Sequence, residues 1–397
     1  MRKNRGAPSF SEANKLQAKG LSRKQVLVKL KLECERDQKY ADGKILCSMC
    51  TTPHPLAKVA HKMFLDGNLG DPGLFPGSVQ LEKEVVVSLL ELMHGPRGAV
   101  GYIVSGGTEA NLLAIYAARN ASNAEMPEIV VPESAHFSFE KICDLLKVKL
   151  VKAKLDASYR VDIASVEQQI TRRTIAIVGN VGTPELGAVD PVDALSRIAV
   201  VHGVPLHIDA AFGGLILPFL KELGYDVPEF DFGLQGVQSV TVDPHKMGMS
   251  TIPAGGILFR KSTSLECIRT QTPYLTVPDQ FTFVGTRPAS SAAATWAVFA
   301  SQGREGFRRT VKKCIELTTF LYESLEEAGF EVLLRPTINI VAFRNANPKL
   351  LTKKLHHNGW CVSYVPRFNC VRVVLMPHST KQHVADFLQC LRELGIN

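Results

Sequence analysis

Between about residues 78 and 260 the apolar positions switch repeatedly between two spacings, and this exchange predicts the fold. Apolar residues three and four apart read as helices over 79–94, 107–119, 136–147, 162–170 and 191–202. Short β-branched runs read as strands over 99–104, 128–131, 149–153, 174–179, 204–208, 237–242 and 255–259. Strands in regular exchange with helices predict an α/β fold, a mostly parallel central sheet covered on both faces. Upstream, 21–40 reads as an amphipathic helix with Val26, Leu27, Leu30 and Leu32. A loop-rich stretch follows, with TTPHP at 51–55 and GNLGDPGLFPG at 67–77. Leu69, Leu74 and Phe75 make the second loop apolar enough to pack against a partner subunit or a site. A long helical region at 288–328 leads into strands 330–334 and 338–344, helix 347–357, strands 360–364 and 370–375, and helix 380–394. That last pattern is a compact α+β unit. The expected organisation is an N-terminal helix and loop segment (1–77), a large α/β domain (78–300) and a smaller C-terminal α+β domain (301–397).

Composition narrows the function classes. With 397 residues, 45% of them hydrophobic, the chain can bury a substantial core. No apolar run approaches the roughly 20 residues that span a bilayer, and the basic N-terminus lacks the apolar stretch of a secretory signal. Nine scattered cysteines, an odd number, point to reduced thiols in a cytoplasm. Cys47 and Cys50 form a CxxC with no second pair, so two half-buried thiols are expected and no metal site. The formal charge of +8 is interleaved with acids and forms no basic block. Neither a nucleic-acid partner nor a membrane is expected.

Candidate chemistry gathers at the ends of the expected strands. VQSVTVDPHKM, 237–247, reads as a buried strand stopped by Pro244, with His245 and Lys246 on the turn at its carboxyl end. Open α/β sheets bind ligands at such ends. A lysine there is either a solvated cation or a desolvated amine able to form a Schiff base with pyridoxal phosphate (PLP). SGGTEAN, 105–111, follows a strand and opens a helix, so Gly107, Thr108 and the free N–H groups make an anion site. It is neither a dinucleotide fingerprint nor a Walker loop; an ordinary strand–helix turn is the bland alternative. In PLHIDAAFGG, 205–214, Asp209 ends an apolar strand, where a carboxylate needs a cationic partner such as a protonated pyridine nitrogen. Ala211 is small enough for a flat ring to lie over it. His136 opens a helix, either as a cap or as a ring that stacks on a heterocycle.

The order Gly107, His136, Asp209, Lys246 resembles that of the group II PLP-dependent decarboxylases, which have the aspartate aminotransferase fold (fold type I). The closest likeness within that family is to the archaeal L-tyrosine/L-aspartate decarboxylases. The likeness runs from about residue 20 to 394 and rests on NLGDPGLFPG, SGGTEANL, AHFSFEK, HIDAAFGGL, VDPHKMG, PAGGILF, TPYLT, GTRPAS, GREGF and VVLMPH. It implies that Lys246 is the Schiff-base lysine, that Asp209 pairs with the pyridine nitrogen and that His136 stacks on the ring. Gly107, Thr108 and His245 would hold the phosphate, with Thr183 near the ring hydroxyl. Relatives are homodimers with shared sites, so Gly285 and Thr286 would reach the phosphate of the second subunit. Tyr274, in TPYLTVPDQ, is the candidate proton donor to the α-carbon, and Arg372 the candidate partner of a substrate carboxylate. The implied substrate is an amino acid: tyrosine, giving tyramine for methanofuran, or aspartate, giving β-alanine for coenzyme A. Two departures stand out. Pro184 replaces a second threonine in GTPELG, and Pro288 in GTRPAS looks more like the sphingosine-phosphate lyases, which makes a carbon–carbon lyase the alternative reading.

Overall fold

A computed structural model describes residue 16 and residues 18–394. Helix α1 (Arg23–Arg36) belongs to a unit of its own that ends at Lys39. Ser22 caps it reciprocally with Gln25, the two-way bond of a capping box. Its Val26, Leu27, Leu30 and Leu32 are all exposed.

From Tyr40 onward the chain forms the second unit. It opens with α2 (Pro55–Met63), in a stretch expected from sequence to be loop. Pro55 stands at the first helical position, where its missing N–H costs nothing, and the His54 ring accepts from the Leu56 N–H. A proline that looks like a breaker is here a starter. Helix α3 (Pro76–Leu92) begins the same way, directly after the Gly/Pro-rich loop.

The central sheet has seven strands: β1 (Val100–Val104), β2 (Glu128–Pro132), β3 (Lys149–Ala153), β4 (Thr174–Asn180), β5 (Leu206–Asp209), β6 (Val237–Val242) and β7 (Gly255–Phe259). Their order is β1-β7-β6-β5-β4-β2-β3. Pairing is parallel from β6 through to β3, and only β7 runs antiparallel, to β1 and β6. Helices α4 (Gly107–Ala121), α5 (Ser138–Leu146), α6 (Ile163–Gln169), α7 (Val192–His202) and α8 (Leu217–Glu222) connect the strands. All residues of β2, β4 and β7 are buried, as a sheet covered on both faces requires.

Helix α9 (Thr263–Glu266) and the small hairpin β8 (Thr270–Gln271) and β9 (Asp279–Gln280) precede the long helix α10 (Ala289–Glu327). Helix α10 is kinked at Gly303, which has φ +51°. Strands β10 (Glu331–Val332), β11 (Ile340–Arg344), β12 (Ser363–Val365) and β13 (Cys370–Val374) form an antiparallel sheet ordered β10-β11-β13-β12. With α11 (Pro348–His357), α12 (Lys381–Glu393) and the second half of α10, it encloses its own core around Leu321, Phe343, Trp360 and Phe387.

The central sheet brings its functional loops together through register. β4, β5 and β6 pair so that Asn180 lies beside Asp209 and Asp209 beside Thr241. Leu206, fully buried on β5, anchors the β4–β5 register three residues before Asp209, while against β6 the register shifts by one residue just after it. Leu206→Ala is expected to cost about 2–5 kcal/mol through lost burial and the cavity left behind. Denaturant unfolding of the variant against the parent chain measures it.

Candidate active site

The loops that follow β1, β2, β4, β5 and β6 meet along one edge of the central sheet and line a cavity of about 440 Å³. That volume suits a small organic ligand. A groove of about 530 Å³ between α3 and α10 is larger, but it contains none of the chemistry-bearing residues singled out from sequence.

At one end of the cavity lies the turn Ser105–Gly106–Gly107. Helix α4 starts at Gly107 with no side chain capping it, so its first N–H groups remain free to bind an anion. Gly106 has φ +156°, and β7 approaches it so closely that a Cβ on Gly255 would lie 2.4 Å from the Gly106 Cα. A Cβ on Gly107 would lie 2.9 Å from Asp243 Oδ2. Glycine is required at these approaches by space.

His245 faces the same turn. Its Nδ1 accepts from the Ala254 N–H at 3.1 Å, which leaves Nε2 carrying the proton in the neutral ring. Burial holds its pKa below the ordinary histidine value. A neutral ring with an Nε2–H is therefore available as a donor beside the helix start.

Lys246 follows on the same turn. Its Nζ lies 3.1 Å from Asp243 Oδ2 and lines the cavity with only 19% of the side chain exposed. The amine does not project into bulk water. Asp243 is buried, and its Oδ1 has no hydrogen-bond partner.

Asp209 stands at the end of β5 on the opposite side. The sequence led us to expect a buried acid; the carboxylate is instead partly exposed, because it faces the cavity. Asn111 Nδ2 donates to its Oδ2 at 2.8 Å, and the Ala211 N–H donates to its Oδ1 at 3.1 Å. Asn111 is itself fixed, since its Oδ1 accepts from the Thr241 hydroxyl at 2.8 Å and from His207 Nε2 at 3.0 Å. His207 Nε2 must then donate, and its Nδ1 accepts from the Ser239 hydroxyl at 2.8 Å. Burial drives the His207 pKa down to about 4, in keeping with that neutral tautomer.

His136 lines the cavity just before α5, which begins at Ser138 and not at His136 as the sequence suggested. Its Nδ1 accepts from the Ser138 N–H at 3.2 Å, and burial again lowers its pKa. Ala211, Gly107 and Thr108 also line the wall.

Five expected residues do not line the cavity of their own chain. Thr183 is buried, and its hydroxyl closes its own turn by accepting from the Ala188 N–H at 3.0 Å, while its neighbours Gly182 and Pro184 face the cavity. Gly285 and Thr286 are exposed elsewhere, and Tyr274 is 86% exposed at the tip of the β8–β9 hairpin. Arg372 is likewise absent from the lining. It is buried on β13, where Nη1 donates to Cys47 O and Ser363 Oγ, both at 3.2 Å. Its Nε has no partner, and burial lowers its pKa to about 10. Cys47 and Cys50 are half-buried free thiols.

Sequence reasoning missed Asn111, Thr241, His207, Asp243 and Met49. His207 and Thr241 reach the site only through the pairing of β5 with β6, Met49 through a loop from the N-terminal side, and Asp243 by opening the turn that carries Lys246. Asn111 was within reach, because it closes the SGGTEAN motif one helical turn after Gly107.

Residues 71–346 match the pyridoxal-dependent decarboxylase conserved domain. The probable L-tyrosine/L-aspartate decarboxylase of Methanothermobacter thermautotrophicus is 50% identical over 359 residues, covering 90% of this chain and 99% of its own. The L-aspartate/L-glutamate decarboxylase of Pyrococcus horikoshii is 46% identical, over 94% of this chain and 98% of its own. Among solved structures, the sphingosine-1-phosphate lyase of Burkholderia pseudomallei superposes with a TM-score of 0.89 at 27% identity, covering 96% of this chain and 91% of that one. A glutamate decarboxylase of Lactobacillus brevis superposes with a TM-score of 0.87 at 22% identity, over 98% and 94%. The fold is that of the fold type I PLP enzymes. The chain belongs to the pyridoxal-dependent decarboxylase family, and its cofactor is PLP.

The cavity suits that cofactor. The lining holds an uncapped helix start, a carboxylate and a lysine amine, groups able to bind a phosphate, a ring nitrogen and an aldehyde. The buried Asn111 network generates a pH prediction. His207 is depressed from 6.5 to about 4, so the unfolded chain binds the extra proton between those values. Its contribution to stability is complete above about pH 6.5 and is lost as the pH falls towards 4. Buried Asp190, raised to about 6, works in the opposite sense, because its folded form takes up a proton first. His207→Gln is therefore expected to flatten the acid limb of the stability curve by up to about 1.4 kcal/mol per pH unit in that window. Thermal midpoints of parent and variant at pH 7, 6 and 5 check the slope.

Proposed function

We propose that this chain is a cytoplasmic PLP-dependent decarboxylase that removes the α-carboxylate of L-aspartate, L-tyrosine or both, yielding β-alanine and tyramine. These products suit coenzyme A and methanofuran biosynthesis in an archaeal cell. One observation carries the reading: Lys246 Nζ and Asp209 line the same cavity as the uncapped start of α4. Relatives named as aspartate or tyrosine/aspartate decarboxylases at 45–50% identity supply the substrate class. They outweigh the 27% identity to the carbon–carbon lyase.

In this reading Lys246 would hold the cofactor covalently through its ε-amine, and it is the second candidate, after Tyr274, to return a proton to the α-carbon. Gly107, Thr108 and the His245 Nε2–H would donate to the phosphate. Asp209, aimed by Asn111, would accept from the pyridine N–H and keep it protonated. His136 and Ala211 would flank the ring. When bound, the cofactor takes up the electron pair left by the departing carboxylate. Thr183 supports the wall by closing the 183–188 turn. Arg372, with an unpartnered Nε, is the cation for a substrate carboxylate. Gly285, Thr286 and the α-carbon proton donor Tyr274 serve the cavity of a second copy in a homodimer. Their exposure away from their own cavity supports that sharing.

The test is a substrate panel on purified, PLP-loaded protein, with carbon dioxide, amine and keto acid all followed. Carbon dioxide with β-alanine or tyramine is the expected outcome; keto acid without amine would overturn the decarboxylase reading. Borohydride reduction should fix the cofactor on Lys246, and Lys246→Ala should abolish both the adduct and turnover. An adduct recovered on another lysine removes the assignment.

A further inference from the structure

The segment from Thr270 to Thr286 carries Tyr274 at its tip and Gly285–Thr286 at its end. Its hairpin pairs Thr270 with Gln280 and Gln271 with Asp279, and Thr272 adds two bonds across the turn, its N–H to Pro278 O at 2.8 Å and its hydroxyl to Val277 O at 2.6 Å. Two residues per strand are too few to hold a hairpin in place by themselves. The segment is fastened instead to the loop 67–73, the Gly/Pro-rich stretch expected from sequence to pack against something.

Asp71 Oδ1 accepts from the Thr276 backbone N–H at 2.9 Å and also from the Thr276 hydroxyl. The same hydroxyl oxygen accepts from the Gly73 N–H at 2.9 Å. Gln280 Nε2 donates to Gly70 O. At the far end, Asn68 Oδ1 accepts from the N–H groups of Gly70, at 2.7 Å, and Arg287, at 3.2 Å. Arg287 is the buried base of the assembly. It pairs with Glu82 and donates to Ile103 O at 2.6 Å. A Cβ on Gly70 would lie 1.9 Å from Gly285 O, so only glycine permits the two loops to touch. Glu109 links this assembly to the anion turn, accepting from the Val284 N–H at 3.1 Å and the Ser105 N–H at 2.8 Å.

We propose that Asp71 and Thr276 are positioning residues whose bonds lock the Tyr274 hairpin onto the 67–73 loop. Each subunit then presents Tyr274 and Gly285–Thr286 as one preformed arm to a second copy of the chain. The proposal rests on the reading above, in which those residues serve the partner's cavity. The physical advantage is preorganisation: an arm ordered in advance loses less conformational freedom when it engages the neighbouring site. The individual bonds are exposed and each is modest, so the row of them, fixed at its base by the buried Arg287–Glu82 pair, carries the effect.

The test compares Thr276→Val, Thr276→Ser and Asp71→Asn in the full-length, PLP-loaded enzyme. Chymotryptic cleavage after Tyr274, followed by mass spectrometry, reads how firmly the hairpin is held; kcat and KM are measured alongside. Thr276→Val and Asp71→Asn are expected to raise the cleavage rate by about fivefold and to lower kcat by a similar factor, with KM nearly unchanged. Thr276→Ser, which keeps the hydroxyl, should match the parent in both measurements. Parent-like cleavage of Thr276→Val, or a Thr276→Ser variant as loose as Thr276→Val, overturns the latch. Tyr274→Phe separates the two claims. If it turns over like the parent, the proton-donor reading of Tyr274 fails, while the cleavage comparison still decides the latch.

Discussion

One carboxylate sets the terms for the rest of the site. Asp209 is open to the cavity on one side and is held on the other by an amide that cannot turn. Asn111 has no freedom to flip, because a hydroxyl and an imidazole both donate to its oxygen. Its NH₂ group must therefore face Asp209. The imidazole in turn has to be neutral, and burial of His207 enforces that. The aim of one acid at the sheet edge thus depends on a chain of buried groups that runs back through β5 and β6. A fully satisfied polar network of this kind is rigid, and any unpaired member would be costly.

The other side of the cavity is organised by close backbone approach. Gly255 brings the start of β7 against Gly106, in the turn between β1 and α4, at a distance that no side chain allows, and Gly107 sits nearly as tightly against Asp243. His245 and Lys246 follow the end of β6, so the turn that stops the strand also delivers an imidazole donor and an amine to the same end. The antiparallel β7 matters here, because its first residue, not its last, lies at the functional edge. It delivers Gly255 to the anion turn without adding another functional loop.

Much of this could be read from the chain itself. The exchange of helical and strand periodicity gave the central sheet and the small α+β unit, and the strand ends gave Lys246, Asp209, Gly107 and Thr108. What escaped was of two kinds. Local punctuation misled at 51–55, where Pro55 begins α2 although prolines and a histidine in a row resemble a loop. Long-range pairing carried the rest. Nothing near His207 or Thr241 in sequence reveals that both point at Asn111, some 96 and 130 residues away. Arg372 and Thr183 could be named from their motifs, yet their orientation depends on partners from distant segments or on the closure of their own turn. Tyr274, Gly285 and Thr286 lie outside their own cavity, as the proposed sharing between two copies requires, and a partner copy is something one chain's pattern cannot depict.

The bare start of α4 has a further meaning. A fifteen-residue helix lacking a side-chain cap is left with dangling donors at its first turn. On the proposed reading a phosphate monoester would complete that turn as a serine or aspartate does in other helices. The ligand would then stand in for a residue that the chain itself omits, and the helix would carry its cap only while the site is filled.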